Sequence, residues 1–283
     1  MKIKLIVIIL VLFPLTTYSN QESCDLEGFE KFSASLDKSK IESVTTLSDE
    51  FKKRSVNASE DCKEALFVNF RTFYYESLNA YQEAENVWDL PYPIEDDEKK
   101  TFNENVSIVG WILKTTEGTY YLGEDSSWLY LNFQDFLPNT WRTYFSQRKI
   151  EIDEGFSEDA WLAISWEKLR GRIIFWEEFI KTNKNFPLSE EITYRIKLYL
   201  RTYLTGMDNS RIYDYDDRNK LREEVKASYE TFINENKTSQ YHELINEYYL
   251  ILKKNNFYTS KENWEFLRTK KINSMLGIQP PTY

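Results

Sequence analysis

The stretch "LFVNFRTFYYESLNAY", residues 66–81, decides the fold class of this chain. Its apolar side chains recur every three or four positions, the spacing that puts them on one face of an α-helix. A second stripe with the same period precedes it, and together the two stripes consist of Ile41, Val44, Leu47, Phe51, Leu66, Phe67, Phe70, Tyr74, Leu78 and Tyr81. Residues 57–60 between them are typical of a helix start, so we expect Cys62 in the first turn of the second helix.

Helical patterns dominate the rest of the chain, with one exception. In "VSIVGWILKTTEGTYYL", residues 106–122, β-branched and aromatic residues alternate on both sides of Glu117 and Gly118. This predicts a β-hairpin of residues 106–114 against 119–122, with residues 128–131 as a candidate third strand. We therefore expect a mainly α protein, with helical hairpins packed around an aromatic-rich core and one small β-hairpin insertion.

Composition divides the chain into five segments. We predict a signal peptide at 1–19, an N-terminal helical region with a disulfide at 20–88, and a linker with two prolines and a charge run at 89–104. A small β element at 105–135 and a C-terminal helical region at 136–283 complete the division. The alternative is one continuous domain from residue 20 onward.

Two helical hairpins are expected in the C-terminal region. Ser157 is typical of an N-cap and predicts a helix that runs to about Lys181, while the next helix is expected from Ser189 to Gly206. A weak echo at a shift of 53 residues relates this hairpin to the next, because Phe179, Ile180, Asn183 and Lys184 recur as Phe232, Ile233, Asn236 and Lys237. A true repeat and two independent hairpins both account for the echo.

The N-terminus predicts export. A short basic start is followed by an apolar run from Leu5 to Phe13 that is too short for a membrane anchor, and small residues precede a cleavage site between Ser19 and Asn20. A buried N-terminal strand is the alternative. We expect a secreted or periplasmic protein with no membrane span in the mature chain.

The only two cysteines are Cys24 and Cys62. In an oxidising compartment an even pair of this kind is most simply one disulfide, which would fix the mature N-terminus to a helix. Two free buried thiols are the alternative, and they become the better interpretation if the protein is not exported.

Charge and motifs exclude several classes of function. The net charge of −10 and the lack of basic clusters disfavour nucleic acid and anionic lipid as partners. The single histidine, His242, lies in "HELIN" without the second histidine of a zinc-protease helix, and no serine-hydrolase elbow or glycine-rich phosphate loop is present. We expect no cofactor.

Carboxylates and aromatic residues are the remaining candidates for a site. Glu167, Glu177 and Glu178 follow each other on one predicted helix that is rich in tryptophan, a mixture that also occurs in glycoside hydrolases. The same glutamates, each close to Lys or Arg, are equally typical of a solvated helix face. The candidate binding residues are Trp161, Trp166, Trp176, Tyr199 and Tyr203, and the alternative is that they fill the core.

A polar stretch, "LTGMDNSRIYDYDDRNKL" at residues 204–221, separates the two predicted hairpins. Asp208, Asp214 and Asp216 are weak candidates for calcium ligands, but no register fits the loop of an EF-hand. The more economical interpretation is a joint, in which Gly206 ends one helix and Asp216 or Asp217 caps the next.

The sequence therefore predicts a binding or structural, accessory module rather than a defined enzyme. Its expected partner is a protein or peptide in the cell envelope or the extracellular space, because helical hairpins can hold such segments without any catalytic group. The alternative is a carboxylate-based glycoside hydrolase that acts on envelope or extracellular glycans.

Overall fold

The computed structural model describes residues 24–125, 127–214, 216 and 219–272. Within these residues the chain forms eleven α-helices and two short antiparallel hairpins, which confirms the mainly α fold with a small β insertion. The predicted signal peptide and the cleavage site between Ser19 and Asn20 lie outside the described residues.

The N-terminal region contains helices α1 (Leu26–Ala34), α2 (Ile41–Ser55) and α3 (Glu60–Ala84). The Oγ atom of Ser59 accepts a hydrogen bond from the backbone N–H of Cys62 at 3.3 Å, so Cys62 lies in the first turn of α3. Cys62 is bonded to Cys24, with their Cα atoms 5.5 Å apart. The predicted disulfide is confirmed, and it joins the start of the described chain to α3.

The linker predicted at residues 89–104 is wrong from Asp96 onward, where helix α4 (Asp96–Ser107) begins. Pro91 and Pro93 interrupt the chain only before that point, and the acidic residues that follow occupy the first turn of α4, where the helix dipole favours them. Val106, expected in the first strand, is buried in the last turn of this helix. The candidate third strand at residues 128–131 is instead part of helix α5 (Trp128–Phe133).

The predicted β-hairpin consists of β1 (Trp111–Thr116) and β2 (Thr119–Glu124). Its turn is the expected one, because Glu117 and Gly118 both have positive φ angles, 48° and 78°. Side chains close both edges: Asn103 accepts a hydrogen bond from the N–H of Leu113 at 2.7 Å, and Gln82 from the N–H of Leu122 at 2.5 Å. The hairpin is thus built into the helical framework, with one outward N–H group on each strand hydrogen-bonded by a helix side chain.

The remaining helices are α6 (Asn139–Glu154), α7 (Trp166–Thr182), α8 (Ser189–Thr205), α9 (Glu223–Glu235), α10 (His242–Lys254) and α11 (Lys261–Thr269). The prediction of a helix that starts at Ser157 is wrong. Residues 157–162 form a second hairpin, β3 (Ser157–Glu158) and β4 (Trp161–Leu162), and α7 starts after Ser165, whose Oγ accepts a hydrogen bond from the N–H of Lys168 at 3.2 Å. Both serines suit a helix start, and contacts from outside the segment select the second.

The two C-terminal helical hairpins share one backbone pattern at the shift of 53 residues. The N–H of Asn183 bonds to the carbonyl of Phe179 at 2.9 Å, and the N–H of Asn236 to that of Phe232 at 2.9 Å. The next three backbone bonds of each turn also correspond, because their donors are residues 186, 189 and 192 in one hairpin and 239, 242 and 245 in the other. The two hairpins, which are weakly similar in sequence at this shift, therefore also have similar backbone structures at their turns.

One cluster of buried side chains extends from Phe29 to Ile272 and includes residues on both sides of the predicted linker. Aromatic rings fill much of it: Phe67, for example, lies 4.8 Å from Trp141 and 5.1 Å from Phe133 between ring centroids. Most of the aromatic residues are thus part of the core or are partly buried against it.

Two glutamates are buried among these rings. Glu151 accepts hydrogen bonds from the indole N–H of Trp176 at 2.5 Å and from the hydroxyl of Tyr199 at 2.9 Å. Glu191 pairs with Arg195 at 3.0 Å on the same helix, and the guanidinium of Arg195 also lies 3.6 Å from Glu151. Glu191 further pairs with Arg71 of α3 at 2.9 Å, so the network joins α3, α6, α7 and α8.

Candidate functional site

The second hairpin presents Trp161 to solvent. Its two-residue turn, Asp159 and Ala160, has φ angles of 44° and 55°, a conformation that glycine and asparagine usually supply. For alanine the left-handed conformation costs about 1 kcal/mol or more. The indole of Trp161 directly after this turn is 57% exposed, so an unfavourable turn carries an exposed tryptophan.

The segment after α8 holds this turn in place. The side-chain amide of Asn209 donates to the carbonyl of Asp159 at 2.6 Å, and its backbone N–H donates to the carbonyl of Ala160 at 3.0 Å. The N–H of Leu162 donates to the hydroxyl of Ser210 at 2.8 Å. Three hydrogen bonds from two adjacent residues therefore fix the hairpin that bears Trp161.

Gly206 makes this support possible. It has a φ angle of +73°, and a Cβ atom at this position would lie only 2.7 Å from the carbonyl oxygen of Ser210. The predicted helix end at Gly206 is thus correct, and the joint after it, residues 207–210, has a structural task that the sequence did not indicate.

A depression of about 460 Å³ lies beside Trp161, between the hairpin, the start of α7 and α9. We call it the Trp161 groove, and its lining residues include Trp161, Leu162, Trp166, Glu167, Arg222 and Ser228. Leu162, Trp166 and Ser228 are buried and form its floor. The hydroxyl of Ser228 donates to the carbonyl of Trp166 at 3.3 Å, so α9 and the start of α7 are joined beneath the groove. A volume of this size fits one or two large side chains or a small ligand.

Paired charges line the rim of the groove. Arg222 and Glu224 lie 2.9 Å apart, and Glu167 is hydrogen-bonded to Arg170, which lowers the pKa of the Glu167 carboxyl. Each charge has its counter-ion, so the rim is close to neutral. This charge balance favours an uncharged ligand segment over a strongly acidic or basic one.

The structure brings together only part of the aromatic set predicted to bind. Trp161 and Trp166 line the groove, and the hydroxyl of Tyr203 lies beneath it, 2.7 Å from that of Ser228. Trp176 and Tyr199 are buried and hold Glu151, away from any surface. Trp176 and Tyr199 therefore belong to the core, the alternative that the sequence left open.

The three candidate catalytic glutamates are not arranged as a facing pair. Glu167 lies at the groove, whereas Glu177 and Glu178 line a separate depression of about 70 Å³. Glu177 is buried and accepts hydrogen bonds from the hydroxyl of Ser239 and the N–H of Gln240, both at 2.6 Å, so it anchors the turn before α10. Glu178 is exposed and pairs with Lys181 at 3.2 Å.

The aspartates of the polar stretch form no cation site in the described residues, where no group of three or more His, Cys, Asp and Glu side chains is arranged to hold a metal. Asp208, Asp214 and Asp216 are all among them, and Asp214 instead accepts a hydrogen bond from the N–H of Asp216 at 3.1 Å. Asp216 does not cap the next helix, because α9 begins at Glu223 with Arg222 at its N-cap. Residues 213 and 220 form single β-bridges before the helix, which therefore starts later in the sequence than predicted.

Sequence reasoning missed Asn209, Ser210 and Ser228. Each acts through a partner about 50 to 60 positions away, and local patterns do not report such pairs. The only local signal was the position of Asn209 and Ser210 just past a helix-ending glycine.

Comparison with known proteins found no matching family model, no similar curated protein and no similar solved structure. Across the described residues, none of the helices is both long enough and apolar enough to span a membrane. The functional argument therefore rests on the geometry of the site itself.

Proposed function

We propose that this protein is an exported binding module whose Trp161 groove takes an extended segment of a protein partner. The proposal rests on one observation. An energetically unfavourable turn, held by hydrogen bonds to Asn209 and Ser210, keeps a large aromatic side chain in solvent beside a depression. Backbone outliers of this kind concentrate at functional sites.

The groove defines the kind of segment it fits. Its buried floor of Leu162, Trp166 and Ser228 suits one bulky apolar or aromatic side chain, and the exposed indole of Trp161 can cover that side chain. The neutral rim suits uncharged flanking residues. The preferred peptide therefore has a large apolar anchor and no net charge.

Selection from a random peptide library displayed on phage tests this proposal. We expect enriched peptides to share an apolar anchor and to bind the purified protein in calorimetry. Trp161→Ala should weaken their binding by about tenfold or more, the loss typical of an anchoring tryptophan. Trp264→Ala is the matched control, because Trp264 is also 57% exposed but lies on α11. If no peptide is enriched, or if the enriched peptides bind the Trp161→Ala variant equally well, the proposal is wrong.

The proposed location is the envelope or the extracellular space. The confirmed disulfide between Cys24 and Cys62 is compatible with an oxidising compartment. Expression of the full chain in a secreting host, followed by N-terminal sequencing, should give a mature protein that begins at Asn20. A chain that stays inside the cell with its N-terminus intact would refute the export part of the proposal.

The glycoside hydrolase alternative gains no support from the geometry. Glu167 lies in a different depression from Glu177 and Glu178. Glu177 is engaged in holding the turn before α10, and Glu178 pairs with Lys181.

A further inference from the structure

A second exposed aromatic surface lies on the outer face of the first hairpin. The indole of Trp88 is 49% exposed, and its ring centroid lies 6.3 Å from that of Tyr121 with only 18° between the ring planes. We call Trp88, Tyr121 and the outward side chains of β1 and β2 the Trp88 platform. It involves none of the residues that line the Trp161 groove.

The fold holds Trp88 in position. Val87, the residue before it, is fully buried in a 3-10 turn (Val87–Asp89) that packs against β2. Asn86 precedes that turn in the left-handed conformation, with a φ angle of 50°. Since Val87 fixes the backbone and Tyr121 lies against the ring, the exposed part of the indole is a flat surface of fixed orientation.

Polar groups surround the aromatic pair on the same face. The strand register pairs Lys114 with Tyr121 and Thr116 with Thr119, and cross-strand partners point to the same side of a sheet. The side chain of Lys114 lies flat across Gly123, where a Cβ atom would be 2.7 Å from the Lys114 Cδ atom. Lys114 forms no ion pair within the described part of the chain, so its ammonium group is available to a ligand.

This combination differs from a protein-docking patch. Ile112 is the only aliphatic side chain on the outer face, and the other groups are hydroxyls, an ammonium group and ring faces. The fully buried centre of a protein interface is more apolar than this surface. The electron-rich face of an aromatic ring attracts groups with weak positive charge, and the C–H bonds on one face of a sugar ring are such groups. Sugar hydroxyls can bond to the surrounding hydroxyl and ammonium groups.

We propose that the Trp88 platform binds a pyranose ring of a glycan chain, with the sugar stacked on the exposed part of the Trp88 indole, which Tyr121 supports, and hydrogen-bonded by Lys114 and the neighbouring threonines. The surface holds the sugar without cleaving it, and it acts independently of the Trp161 groove. A protein with both surfaces could bring a protein partner to a polysaccharide.

Titration with cellohexaose, chitohexaose and maltohexaose, followed by tryptophan fluorescence and calorimetry, tests the proposal. We expect at least one of the three to bind the full-length protein. Trp88→Ala and Tyr121→Thr should each weaken that binding by roughly three- to tenfold, the range for loss of one ring contact. Threonine preserves the strand preference at position 121, and thermal unfolding verifies that both variants fold.

The Trp161→Ala and Trp264→Ala variants are the controls, and they should bind the same sugar as tightly as the unmodified chain. Lack of binding of all three hexasaccharides at millimolar concentration would overturn the proposal. Binding that is unchanged by Trp88→Ala, or that is lost in Trp161→Ala, would overturn it as well. None of these outcomes depends on whether the Trp161 groove binds a peptide.

Discussion

Replacement of Glu151 by glutamine should destabilise the protein by about 3 to 5 kcal/mol, the usual cost of breaking a buried ion pair from one side. The side chain of Glu151 is 1% exposed, so water cannot replace the lost interactions. Its two carboxylate oxygens accept hydrogen bonds from Trp176 and Tyr199, and one of them also lies 3.4 Å from Arg148 and 3.6 Å from Arg195.

The glutamine amide cannot reproduce this arrangement, because its NH2 group is a hydrogen-bond donor and would have to replace an oxygen that now accepts hydrogen bonds. The substitution also leaves the Arg148 and Arg195 side chains, which are largely buried, without the charge of Glu151. Guanidinium denaturation followed by circular dichroism measures the free energy of unfolding. Glu178→Gln is the matched control: Glu178 is exposed and, within the described residues, its ion pair is the one with Lys181, so its loss should change stability by less than about 0.5 kcal/mol.

A loss below about 1 kcal/mol for Glu151→Gln would refute the view that the buried network stabilises the packing of α6 against α7 and α8. A double variant provides a second test. Glu191 shares Arg195 with Glu151, so Glu151→Gln and Glu191→Gln should not be additive. Additivity within experimental error would mean that the two glutamates act separately.

Three further predictions concern stability. Replacement of Cys24 and Cys62 by serine should lower the free energy of unfolding by about 3 to 4 kcal/mol, as expected for a loop of about 39 residues, and a loss below about 1 kcal/mol in denaturant titration would contradict this. Gly206→Ala should lower the free energy of unfolding by more than about 1 kcal/mol, because the position has a positive φ angle and the new Cβ atom would clash with Ser210. It should also speed amide hydrogen exchange in the hairpin that bears Trp161. Unchanged exchange would show that the joint does not brace that hairpin. Burial raises the pKa of the Glu64 carboxyl above its ordinary value of 4.5, so the folded state binds this proton more tightly and stability falls as the pH rises through the Glu64 pKa. Glu64→Gln removes this loss, and denaturant titration from acidic to neutral pH should show it as a relative gain in stability that grows with pH; a constant difference would be inconsistent with it.

The sequence was sufficient for features that depend on neighbouring residues. The apolar stripes predicted the helices, and alternation around Glu117 and Gly118 predicted the first hairpin and its turn. The error in the hairpin itself was one of boundary, since α4 extends into residues expected to form its first strand. Such boundaries depend on small local differences in free energy that packing can override.

The candidate site was predictable only in part. Trp161 was among the predicted binding residues, but it was placed in a helix because Ser157 is a plausible N-cap. Asn209 and Ser210 favour a hairpin over a helix at residues 157–162, because they form hydrogen bonds with these residues from about 50 positions away. No local pattern contains that information, and the left-handed Ala160 even argues against the observed turn.

The groove lies at the end of the two C-terminal hairpins where the 53-residue correspondence stops. The two C-terminal hairpins correspond at their turns, where Asn183 and Asn236 make the same backbone bond, but not before their first helices. The segment before α7 forms the Trp161 hairpin, while the segment before α9 forms the brace and the β-bridges. The groove therefore lies where the two hairpins differ, and the differing segments provide both its exposed tryptophan and the residues that hold it.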